Sequence, residues 1–66
     1  MTMRECINIC VRIQRQSWTA PTDYAKRTAA YEEAKRVCRE NGYTGGTFKQ
    51  IWNAATDQRT REDAKW

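Results

Sequence analysis

The sequence predicts an α+β fold, a small antiparallel β-sheet packed against one main α-helix. Three observations carry that expectation. Residues 29–42 form an amphipathic helical stretch, residues 6–14 alternate strictly in polarity, and residues 47–54 can be read as a second extended run.

The helix is the best-marked element. Ala30, Tyr31, Ala34, Val37 and Cys38 fall at i, i+1, i+4, i+7 and i+8, one apolar stripe on a 3.6-residue period. Glu32, Glu33, Lys35, Arg36, Arg39 and Glu40 fill the other face. Glu32 with Arg36 and Arg36 with Glu40 are i,i+4 opposite charges, each stabilising by about 0.2–0.5 kcal/mol. Thr28 can cap the start, and Asn41-Gly42 can end the helix with a residue at positive φ. Asp23 to Thr28 fits either a helical segment or a returning strand. Ala, Lys and Arg favour the helix, which would then run from about Thr22 to Asn41.

Upstream, Met1 to Glu5 is a lead-in. Ile7, Ile9, Val11 and Ile13 then alternate with Cys6, Asn8, Cys10, Arg12 and Gln14, the pattern of a half-buried strand. Asn8, Arg12 and Gln14 would face water or a ligand. Gln16 to Asp23 reads as a connection, with Pro21 restricting Ala20 and Trp18 lying over the core edge or in an outside contact.

Downstream of Gly42 two forms compete. In a helix, Thr47 and Gln50 make a capping box, and Phe48, Ile51, Trp52 and Ala55 make a stripe. In a strand, Phe48, Gln50, Trp52 and Ala54 share a face, and residues 55–58 turn into a last strand ending at Trp66. Periodicity alone leans to the helix, and the choice decides the fold.

Length and composition narrow the function. Sixty-six residues make one domain, and a chain this short buries only about 60% of its unfolded surface. No apolar run approaches a membrane span of about 20 residues and no leader is visible, so the reading is a cytoplasmic protein with no membrane partner. A net charge of +4 leans toward anionic partners. Three cysteines and no histidine disfavour a metal site. On a strand Cys6 and Cys10 would lie about 13 Å apart at roughly 3.3 Å per residue, too far for a disulfide, so reduced thiols are expected. Without a histidine, a paired carboxylate site or a phosphate loop, the expectation is a non-enzymatic binding protein with no cofactor, monomeric or homodimeric.

Ala34-Lys35-Arg36-Val37, then Gly46-Thr47-Phe48-Lys49-Gln50-Ile51, then Glu62-Asp63-Ala64-Lys65-Trp66 resembles one group of small phage-encoded anti-CRISPR proteins. There a basic helix packs on an antiparallel sheet and the protein coats part of a nucleic-acid surveillance complex. The resemblance implies a viral inhibitor of a host protein or ribonucleoprotein complex. Lys35, Arg36, Arg39, Lys49 and Lys65 would contact the surface that otherwise meets DNA. For the three helix cations the plain alternative is a solvated face.

A strand, a helix ending in Glu-Asn-Gly and a capped second helix also resemble the ribbon-helix-helix repressors. That likeness implies a dimer, with Asn8, Arg12 and Gln14 of a shared ribbon reading DNA directly in the major groove.

Overall fold

The computed structural model describes residues 1–17 and 24–64. They form three helices: α1 (Met3–Ser17), α2 (Tyr24–Glu40) and α3 (Gly45–Asp63). No strand occurs among the described residues. This overturns the expected sheet-and-helix architecture, and it removes the ribbon on which the repressor likeness depends.

α1 replaces the expected first strand, and the reason lies in its cysteines. Cys6 and Cys10 looked like the outward half of an alternation, yet both are buried with Ile7, Val11, Ile13 and Gln14. A thiol packs as a small apolar group. Once Cys6 and Cys10 count as apolar, positions 6, 7, 10, 11, 13 and 14 follow a helical period. The start of α1 is also coded. The Thr2 backbone N–H donates to Glu5 Oε1 at 3.1 Å, and the Glu5 N–H donates to Thr2 Oγ1 at 3.2 Å. This reciprocal Thr-x-x-Glu capping box lies in what read as a lead-in.

α2 begins at Tyr24, so residues 24–28 are helical as propensity suggested and Thr28 lies inside the helix rather than capping it. Ala30, Ala34 and Cys38 are buried, while Tyr31 and Val37 are partly buried. Gly42 at φ 86° ends the helix. The Tyr43 N–H bonds to the Cys38 carbonyl at 2.9 Å and the Gly42 N–H to that of Arg39 at 3.0 Å, a Schellman closure. Asn41 Nδ2 donates to the Val37 carbonyl at 2.9 Å.

α3 takes the helical branch of the fork. Phe48, Ile51 and Ala55 are buried on the expected stripe and Trp52 is partly buried. The cap residue is Thr44, in extended geometry, because Gly45 and Gly46 are drawn into the first turn. Thr47 is therefore three residues inside, and the Thr47–Gln50 capping box is not used. The helix continues through 55–58, where a turn and a last strand were expected. Trp18, Pro21, Lys65 and Trp66 lie outside the described residues.

The chain contains no leucine, and its core is built of small and β-branched groups. Cys6, Ile7, Cys10, Val11 and Ile13 of α1 meet Ala30, Ala34 and Cys38 of α2 and Phe48, Ile51 and Ala55 of α3. α1 packs on both other helices. Arg4 Nη1 reaches Gln58 Oε1 at 2.9 Å and Gln14 Nε2 reaches Thr56 Oγ1 at 3.0 Å. Arg4 and Gln14, ten residues apart on α1, thus both reach the Thr56–Gln58 stretch of α3. α2 and α3 meet through the aromatic rings of Tyr31, Phe48 and Trp52. Tyr31 stands edge-on to both partners at 5.3 and 5.2 Å between centroids.

Two outcomes follow from this packing. Ile51→Ala empties a fully buried site and should cost about 2–5 kcal/mol. That is comparable with the whole stability of a domain this size, so urea denaturation followed by far-UV circular dichroism should show a largely unfolded variant. The second concerns Glu5, whose carboxyl is held below its ordinary range by the Thr2 backbone N–H first and the Thr2 hydroxyl second. A carboxyl depressed in the folded state stabilises above its unfolded pKa, and that contribution is lost as pH falls through the lower folded value. In an NMR titration Glu5 should titrate below an ordinary glutamate, and Thr2→Ala should move it back up. An unmoved midpoint would show that the Thr2 hydroxyl contributes nothing and that the backbone N–H alone holds the carboxyl down.

Candidate functional site

Lys35, Arg36 and Arg39 are exposed on α2, on the side away from Ala30, Ala34 and Cys38. Helical geometry requires this, since i, i+1 and i+4 share a face opposite the buried stripe. Arg36 Nη1 donates to Glu40 Oε1 at 3.1 Å, one of the two expected i,i+4 pairs. Lys35 and Arg39 make no ion pair among the described residues. Lys49 is exposed at the start of the second turn of α3, on a different helix. Lys65 lies outside the described residues.

The three candidates on the first segment separate. Asn8 and Arg12 are exposed one turn apart on the outer side of α1. Gln14 is fully buried and belongs to the interior, because helical rather than strand geometry turns it toward α3. It donates from Nε2 to Thr56 Oγ1 at 3.0 Å, and its Oε1 accepts from Arg59 Nε at 2.9 Å. The Thr56 hydroxyl donates in turn to the Trp52 carbonyl at 3.0 Å. Both ends of a buried amide are thereby satisfied. The chain of contacts runs outward to the surface: Arg59 lies 3.7 Å from Asp63, and Arg15 pairs with Glu62 at 3.3 Å and Asp63 at 3.2 Å.

This accounting sorts the cations. At the α1–α3 interface Arg15 and Arg59 are held by the acidic end of α3, and Arg4 bonds Gln58. Of Lys35, Arg36 and Arg39 on the outer face of α2, only Arg36 makes an ion pair among the described residues, with Glu40 of the same helix. The face can offer guanidinium and ammonium donors to phosphate or carboxylate oxygens without first breaking a tertiary contact.

Sequence reading missed one further surface. Tyr24, Arg27, Thr28, Tyr31 and Trp52 line an open groove of about 350 Å³ between α2 and α3. Its signal was present: Tyr24, Thr28 and Tyr31 fall at i, i+4 and i+7 once the helix is extended back to Tyr24. A second hollow of about 330 Å³ is lined by Arg4, Ile7, Ala54, Gln58, Arg61 and Glu62.

The thiols are placed for packing rather than attack. Burial, and then the nearby Cys38, push the Cys10 thiol up to about 12, and burial likewise raises Cys38. Both stay protonated at neutral pH, which suppresses nucleophilicity. Among the described residues no group of histidine, cysteine and carboxylate side chains converges as a metal site. No helix there is long and apolar enough to cross a membrane.

Gln14→Leu tests the buried network. It strands the mostly buried Arg59 guanidinium without its Nε acceptor and should lower stability by about 1–3 kcal/mol in urea denaturation. A neutral result would show that Arg59 finds equal partners elsewhere. No family model, curated protein or solved structure matches the chain, so both resemblances rest on the residues that suggested them.

Proposed function

We propose that this chain is a small non-catalytic binding protein that docks through the outer face of α2 on an anionic surface of a nucleic-acid-handling complex. In the narrower form of this reading it is an inhibitor of the phage or mobile-element anti-defence type. The observation that carries it is the division of the cations. Among the described residues Lys35 and Arg39, beside Arg36, make no ion pair, whereas Arg15 pairs with Glu62 and Asp63 and Arg59 with Asp63.

Charge sign refines the mechanism. Lys35, Arg36 and Arg39 share their face with Glu32, Glu33 and Glu40, and the three cations would be repelled by the basic channel that holds DNA, so simple occupation of that channel is disfavoured. The phosphates of bound nucleic acid, or an acidic patch beside the channel, are the complementary surfaces. The likeness to anti-CRISPR proteins supports the inhibitory role through its short motifs only, since the sheet it implies is absent from the described residues.

A second reading, direct binding to DNA, draws on Asn8 and Arg12. They stand one turn apart on the exposed side of α1, and their side-chain types suit adenine and guanine edges.

Capture from nuclease-treated host lysate with the full chain as bait, followed by binding of the recovered complex to wild type and to Lys35→Glu with Arg36→Glu, tests the proposal. The variant should keep its cooperative melt and lose about tenfold or more in affinity, roughly 1.4 kcal/mol. Affinity should also fall as salt rises. Unchanged affinity would move the site to Asn8 and Arg12 or to the groove beside Tyr31. Failure to recover a complex, with tight binding to a DNA fragment, would favour the second reading.

A further inference from the structure

All three cysteines of the chain meet in one part of the interior. Cys6 and Cys10 stand one turn apart on α1, Cys38 lies on α2, and their exposures are 0%, 0% and 1%. The Cys10 and Cys38 sulfurs are in contact across the α1–α2 interface at 3.9 Å. The Cys6 thiol contacts the Met1 Sδ at 3.5 Å and also lies close enough to Cys38 to interact with it, so the Cys10–Cys38 pair is singled out by its direct sulfur–sulfur contact. We propose that Cys10 and Cys38 are a latent disulfide pair, which a hydroperoxide can close into a covalent staple between α1 and α2.

The interface suits closure. A disulfide needs the sulfurs at about 2.05 Å, so they must approach by a little under 2 Å. Ala30 and Ala34, buried on the same stripe as Cys38, are small side chains that put little bulk between the two helices. The staple would join positions 28 apart in sequence, a loop long enough for the cross-link to restrict the unfolded chain strongly.

The chemistry balances with a hydroperoxide as oxidant. One thiol, as thiolate, attacks the peroxide oxygen; the O–O bond breaks and yields a sulfenic acid and water or an alcohol. The second sulfur then attacks the sulfenic sulfur, forming the S–S bond and expelling water. The two thiols lose two electrons and two protons, and the peroxide is reduced. Burial sets the timing, because it keeps both thiols protonated and shielded. The reaction therefore waits for a transient separation of α1 from α2, and closure afterwards prevents the next one. The outer face of α2 lies on the opposite side of the helix and is untouched, so this inference does not depend on the binding proposal.

The test uses the full reduced wild-type chain. After exposure to hydrogen peroxide, remaining thiols are alkylated and the protein is digested and mapped by mass spectrometry. The expected product is a monomer lighter by two hydrogens, with a Cys10–Cys38 cross-linked peptide and Cys6 alkylated. Its thermal midpoint should exceed that of the reduced chain by several degrees and fall back on reduction. A dominant Cys6–Cys10 or Cys6–Cys38 link, an intermolecular dimer, terminal oxidation to sulfinic acid, or an oxidised monomer that melts lower would overturn the proposal.

Discussion

The structure depends on α1 burying two adjacent sides at once, one against α2 and one against α3. Its stripe is unusually wide because two thiols and an amide join the aliphatic side chains on it. The Cys10 thiol meets Cys38 of α2. The amide of Gln14 faces α3, where Thr56 and Arg59 complete its hydrogen bonds. An apolar side chain in that place would pack without requiring one register of the crossing; a fully satisfied buried amide accepts few alternatives. The polar contact thus fixes how α1 lies, while the apolar contacts supply most of the driving force.

What the sequence disclosed and what it concealed divide along the same line. The α2 stripe was legible because Ala30, Ala34 and Cys38 repeat on a clean helical period against a charged opposite face. The α3 stripe was equally visible, but Phe48, Ile51 and Trp52 also have high strand propensity, so local preference could not decide between forms. α1 misled because its isoleucines and valine happen to alternate, and because cysteine was given to the polar side of that alternation. The Thr2–Glu5 box was the available corrective, since a coded helix start is incompatible with a strand beginning one residue later.

The candidate site was partly readable for a related reason. Exposure of Lys35, Arg36 and Arg39 follows directly from the α2 stripe. Which of those charges remain unpaired does not, because it depends on where the acidic end of α3 lands, and that is a tertiary fact. Gln14 shows the same limit from the other side: identical residue type, opposite role, decided by one change of secondary structure. The groove at Tyr24 and Tyr31 required both the extended α2 and its angle to α3, neither of which neighbouring residues specify.

The thinness of the α2–α3 contact has a bearing on how the chain comes to be folded at all. Joined largely through the rings of Tyr31, Phe48 and Trp52, that hairpin has little to stabilise it alone, and α1 by itself has nowhere to place its thiols and isoleucines. On these contacts the three helices together are the expected folding unit. The leading helix emerges from the ribosome first and must wait, apolar sides uncovered, until the trailing one has been synthesised. Acquisition of structure is then a single late step, in which removing any one helix dissolves the other two.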